Sequence, residues 1–115
     1  MGLVNLKELP ELQLAEGVMA RVVTAQTISV LHVTIEAGAI VPGHSHHNEQ
    51  VVNVVEGELE LTVEGTKYSL GPGNAMILAP NVEHSARAVV DCRVVDVFHP
   101  VREDLRGTDF GGYTD

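Results

Sequence analysis

Tryptophan is missing from this 115-residue chain, and two phenylalanines and two tyrosines are its only aromatics. Hydrophobic residues still make up 44%, so a core of valine, leucine, isoleucine and alanine is expected rather than disorder. Cysteine occurs once. Cys92 has no internal disulfide partner, and its place in an apolar run reads as a buried, inert thiol. Basic residues are scarce: seven stand against sixteen acidic ones, for a formal charge of -9. So acidic a surface repels phosphate backbones and anionic lipid, which argues against nucleic acid and membrane as partners. Acidity also serves plain solubility. No apolar run approaches the roughly 20 residues of a membrane span. The opening "MGLVNLKELPELQL" lacks a basic stretch, an apolar segment after it and a small-residue cleavage site, so a cytoplasmic location is expected. Helical periodicity is equally sparse, with no such segment longer than about ten residues.

What the chain does have is short, β-branched segments. "TISVLHVTIE" (27–36), "QVVNVVEG" (50–57), "ELELTVEG" (58–65), "KYSL" (67–70), "NAMILA" (74–79) and "DCRVVDVFHP" (91–100) all read as strands. In "ELELTVE" the alternation is strict: Leu59, Leu61 and Val63 take one face, and Glu58, Glu60, Thr62 and Glu64 the other. Eleven glycines and five prolines punctuate the segments as tight turns. Even spacing of this kind predicts an all-β single domain, a small antiparallel sandwich or barrel. Residues 1–16 read as an N-terminal arm, with a short helix as the alternative over 5–16. Residues 105–115 read as a polar, glycine-rich tail that either covers a barrel end or stays loose.

Three of the six histidines crowd into "PGHSHHNEQ" (42–50). His44 and His46 are two apart, so an extended backbone turns both rings to one side while His47 points away. His84 follows far downstream in "APNVEHSA". Two histidines at i, i+2 with a third on a distant strand is an arrangement that suits one metal ion, and the alternative is a surface histidine cluster. In the last strand, Asp96 and Phe98 share a face and Val95 and Val97 take the other. A carboxylate in an apolar strand is costly to bury unless paired or used. Arg102 follows Pro100, so Asp96 and Arg102 form either a structural salt bridge or part of a site: an acid/base carboxylate, an aromatic wall at Phe98 and an anion-binding guanidinium. His32 reads as exposed, His47 as rim, His99 as turned away from the site, Glu83 as solvent-facing, and Met76 and Tyr68 as packing.

These motifs resemble those of the cupins, small double-stranded β-helix (jelly-roll) barrels. The first cupin motif reads glycine, five residues, His-x-His, three or four residues, glutamate, six residues, glycine. Gly38, "HSH", Gln50 and Gly57 fall at those positions, with glutamine for the glutamate. The second motif reads glycine, five residues, Pro-x-Gly, two residues, histidine. Gly73 and His84 match it; Ala79 stands for the proline, and Asn81 for the glycine, a residue that tolerates a left-handed turn. The asparagine usual four residues after the histidine is Ala88.

The resemblance implies metal ligands at His44, His46, Gln50 and His84, with Glu49 as the competitor of Gln50, and a divalent transition metal (Zn, Ni, Fe or Mn). Three imidazoles and an amide leave the ion's +2 charge uncancelled, which favours Lewis acidity and an anionic ligand. Within the cupins, "HSHxxEQ" and "DxFxPxRED" are similar to the small pectin-degradation cupins that open the ring of unsaturated uronates. This resemblance spans about residues 17–104. It implies Asp96, Phe98 and Arg102 as pocket residues and an anionic sugar acid as small-molecule substrate. An oxygen-using iron dioxygenase and a non-catalytic metal-bound cupin are the competing readings. Cupins usually pair as homodimers with an N-terminal strand crossing over, for which "GVMARVV" (17–23) is suited.

Overall fold

The computed structural model describes residues 2–106 and 113. Among them ten strands run in order: β1 Leu12–Ala15, β2 Val18–Thr24, β3 Ser29–Ile35, β4 Ile40–His44, β5 Glu49–Glu56, β6 Leu59–Val63, β7 Thr66–Leu70, β8 Ala75–Leu78, β9 His84–Ala88 and β10 Cys92–His99. They form a six-stranded sheet ordered β1-β2-β3-β10-β5-β8 and a four-stranded sheet ordered β4-β9-β6-β7. All pairings are antiparallel. The chain is therefore all-β, and its two sheets face each other across one core.

Alternation sets which side chains fill that core. Leu59 and Leu61 of β6 are buried, as their period-2 pattern requires. In β5, Gln50, Val52 and Val54 turn inward and Glu49 is exposed. In β10, Cys92, Val94 and Phe98 are buried on one face, and the face extends to Asp96, which lines the interior cavity with Val94 and Phe98. Gly57 permits the tight turn from β5 into β6: its φ is +94°, and a Cβ there would lie 2.8 Å from Cys92 Sγ. Asn81 adopts the left-handed conformation expected of it, with φ +68°.

Four strands lie outside the segments read as strands from the sequence. β4 contains Pro42 and Gly43, which mask a strand pattern. The pairing of β4 with β9 is irregular between Val41 and His44, at the edge of its sheet, where proline is tolerated. β9, "HSARA", is short of β-branched residues and is strand only because β4 and β6 flank it. β1 occupies part of the segment read as an arm or short helix, where the only helical turn is a 3-10 turn at Leu6–Glu8. β2 pairs with β1 and β3 of its own chain, so the stretch suited to a crossing strand is used internally. The core also reaches into the segment read as a tail, since Leu105, in a 3-10 turn at Glu103–Leu105, is buried. Tyr68 is exposed rather than packed, and His32 is half-buried rather than exposed.

Candidate metal centre

The end of β4 and the start of β9 lie side by side, and their register sets His44 directly opposite His84. His46 joins them from the loop between β4 and β5. That loop is tied to the turn before β9, because Asn81 N–H donates to the His46 carbonyl at 2.7 Å. One ring nitrogen from each histidine lies within 4.8 Å of the others. His47 and Glu83 are exposed and outside this group, as expected.

Each imidazole is held in the same tautomer. His44 Nδ1 lies 2.8 Å from the Pro42 carbonyl, His46 Nδ1 3.1 Å from the Asn48 carbonyl, and His84 Nδ1 2.9 Å from the Val82 carbonyl. A carbonyl only accepts, so Nδ1 carries the proton and each Nε2 is left with its lone pair. The His84 Nε2 lone pair is buried without a partner. Loss of hydration pushes all three histidines down, His44 to about 4, and the Arg102 charge nearby pushes the same way. They are neutral at pH 7, the form a metal binds.

Gln50 enters from β5, opposite Phe98 of β10. Its amide hydrogen-bonds the Asp96 carboxyl, which only the N–H end can do when the acid is ionised. The carbonyl end then faces the imidazoles, with Oε1 3.1 Å from His46 Nε2. Two lone pairs facing each other at that distance repel unless a cation lies between them or His46 takes a second proton. The orphaned His84 Nε2, the three fixed tautomers and the Gln50 oxygen therefore fit a divalent metal. Glu49 points away and is exposed, so alternation leaves Gln50 as the candidate fourth ligand.

Asp96 borders the cavity and is otherwise enclosed by protein. Burial pushes its carboxyl from 3.8 up to about 7, against the opposing pull of Gln50 and the Arg102 charge, and its Oδ1 has no partner. Phe98 is buried, edge-on to His46 with ring centroids 5.4 Å apart. Arg102 lies over the Phe98 ring, its guanidinium carbon 4.9 Å from the ring centroid. The expected Asp96–Arg102 alternative of a structural salt bridge does not form. Arg102 instead grips Asp104 with two bonds, Nε to Oδ1 at 2.9 Å and Nη2 to Oδ2 at 2.7 Å. Its Nη1 is buried and unpaired.

Two residues of the site escaped the sequence reading. Asn48, fully buried, donates to the Pro100 and Val101 carbonyls at 2.6 and 3.3 Å and so braces the His46 loop against the turn that carries Arg102. No local pattern announces it. Tyr113 stacks on His44. An aromatic in a polar tail of so aromatic-poor a chain was the available signal.

Comparison with known proteins agrees with this geometry. The Cupin_2 family (cupin domain) matches residues 31–98. Pectin degradation protein KdgF of Dickeya dadantii (strain 3937) is 29% identical over 101 residues, covering 85% of this chain and 92% of that protein. H2HPP isomerase of Bacillus subtilis is 34% identical over 67 residues, 56% of this chain but 28% of that protein. Among solved structures, KdgF from Halomonas sp. superposes with a TM-score of 0.80 at 28% identity, covering 86% of this chain and 93% of that one. With both motifs in place, the strands in two facing sheets and the family matched over more than half of its length, this chain belongs to the cupin family.

Proposed function

We propose that the protein is a metal-dependent isomerase that opens the ring of an unsaturated uronate. His44, His46, His84 and Gln50 hold a divalent transition metal, Asp96 carries the proton, Phe98 walls the site and Arg102 receives the substrate carboxylate. The observation that carries this reading is the placement of Asp96: a carboxyl raised to about 7, with one free oxygen, hydrogen-bonded to the same glutamine that faces the imidazoles. The likeness to two KdgF proteins, one of them named for pectin degradation, supports the substrate class. The partial likeness to H2HPP isomerase supports an isomerisation.

The chemistry balances without an oxidant. The anomeric hydroxyl gives up its proton, the bond between that carbon and the ring oxygen breaks to leave an aldehyde and an enolate, and the enolate takes a proton on the neighbouring alkene carbon to become a ketone. Near neutral pH, Asp96 is poised between its two forms and so can accept the first proton and return one. Gln50 holds that carboxyl in place through its N–H. The unpaired Nη1 of Arg102 offers donors to a carboxylate, while Asp104 fixes the guanidinium plane. Phe98 keeps water from the acid. A divalent ion at the imidazoles would supply Lewis acidity toward a substrate oxygen.

The test follows the double-bond absorbance of freshly lyase-generated unsaturated galacturonate or mannuronate. Metal-loaded protein should speed its loss over a protein-free control. Asp96→Asn should remove about 10²–10⁴-fold of the rate with metal content unchanged. A metal-loaded protein that gives no acceleration would sink the proposal.

A further inference from the structure

Tyr113 stands between two spaces. One is the interior cavity of about 50 Å3, bordered by His44, Gln50, His84, Asp96 and Phe98. The other is an outer groove of about 610 Å3 between the β1–β2 turn at Glu16–Gly17 and the stretch Glu36–Ile40. Tyr113 lines both. Its ring stacks on His44, with centroids 4.3 Å apart and planes 26° from parallel. Its hydroxyl accepts a hydrogen bond from Arg102 Nη2 at 3.0 Å. Its backbone N–H donates to the Leu14 carbonyl on β1.

The cavity alone is far smaller than the roughly 300–1,000 Å3 of pockets that take organic ligands. The groove by itself, at about 610 Å3, lies within that range. The phenol occupies a guanidinium donor that a carboxylate would use, and a sugar ring approaching the covered face of His44 meets the tyrosine ring first. The phenol thus already holds one of the donors that an anionic ligand needs, while Nη1 has no partner.

We infer that Tyr113 is a built-in competitor for the ligand: its side chain occupies the approach to Arg102 and His44, and an anionic ligand reaches both only by displacing it. The uronate identity of that ligand rests on the function proposed above; the position of Tyr113 at the entrance does not. The side chain is half-buried and packs against the core, so a ligand that displaces it must replace those contacts as well. What the ligand must displace includes a hydrogen bond to a charged group and a ring stack.

Two measurements on the full chain test this. Metal-loaded wild-type protein, Tyr113→Phe and Tyr113→Ala are titrated calorimetrically with glucuronate, a saturated uronate that does not react. In parallel, the metal-free proteins are treated with diethylpyrocarbonate, and modification of His44 is timed by mass spectrometry. Tyr113→Ala should bind glucuronate about tenfold tighter, with Tyr113→Phe between, and its His44 should be modified faster than in wild type. Weaker glucuronate binding by Tyr113→Ala would overturn the inference, because the tyrosine would then be part of the ligand's own site. Unchanged His44 reactivity would overturn it too. Faster modification with no glucuronate binding by any form would keep Tyr113 as the barrier and remove the uronate.

Discussion

On the four-stranded sheet, His44 and His84 face each other across neighbouring strands; on the six-stranded sheet, Gln50, Asp96 and Phe98 occupy neighbouring positions of β5 and β10. One cavity lies between the two groups, and burial acts on both. It pushes the imidazoles down and the carboxyl up, so each side is drawn toward its uncharged form. The difference lies in how they are held. Each imidazole is pinned through Nδ1 to a backbone carbonyl, which fixes ring and tautomer. The Asp96 carboxyl is held by one flexible amide and keeps one oxygen free. The imidazole side is built to keep one state, and the carboxyl side to change state.

The strongest way to break that comparison is to remove an imidazole. His84→Ala should lower metal affinity by more than the roughly 10–100-fold that losing an outer partner of a ligand costs. Metal content after dialysis against a buffered metal solution measures it. Full retention would mean that the ligands lie elsewhere.

A smaller effect concerns pH and the metal-free protein. His44 has its folded value depressed from 6.5 to about 4, so its contribution to stability is present above 6.5 and is lost as pH falls toward 4. Asp96 has its folded value raised from 3.8 to about 7, so its contribution is complete below 3.8 and is lost as pH rises toward 7. The two oppose each other over almost the same window. Asp96→Asn removes only the second, so its stability in urea should rise more steeply between pH 4 and 7 than that of wild type. Equal slopes would show that the Asp96 carboxyl is not shifted by burial.

The smallest effect sharpens the contrast along β10 itself. Cys92 shares the inward face of Asp96 but lies four residues away, about 13 Å along an extended strand. It is buried, its Sγ 3.2 Å from the Glu58 and Val90 carbonyls, and burial pushes the thiol up. Cys92→Ala should cost about 1 kcal/mol in denaturant unfolding and leave metal content and turnover unchanged. A loss of turnover would extend the active region to the far end of the strand.

Where residues make a local pattern, the fold and the site could be read directly. Leu59 and Leu61 alternate with glutamate and threonine, so their burial follows from the pleat. His44 and His46 sit two apart in an extended segment and do converge. Alternation also turns Gln50 in and Glu49 out. Where the pattern was weak, the reading failed. Pro42 and Gly43 hid β4, and "HSARA" has too few β-branched residues to announce β9, which exists because its neighbours supply hydrogen bonds on both sides.

The sequence by itself determined which side chains share a strand face and where left-handed turns such as Gly57 and Asn81 fall. These are consequences of covalent geometry over a few residues. Only the tertiary structure decided that Arg102 pairs with Asp104 and not Asp96, that burial pushes the Asp96 carboxyl up to about 7, and that Tyr113 reaches His44 from the other end of the chain. Those outcomes depend on which strands enclose a group and exclude water from it, and that enclosure comes from residues distant along the chain.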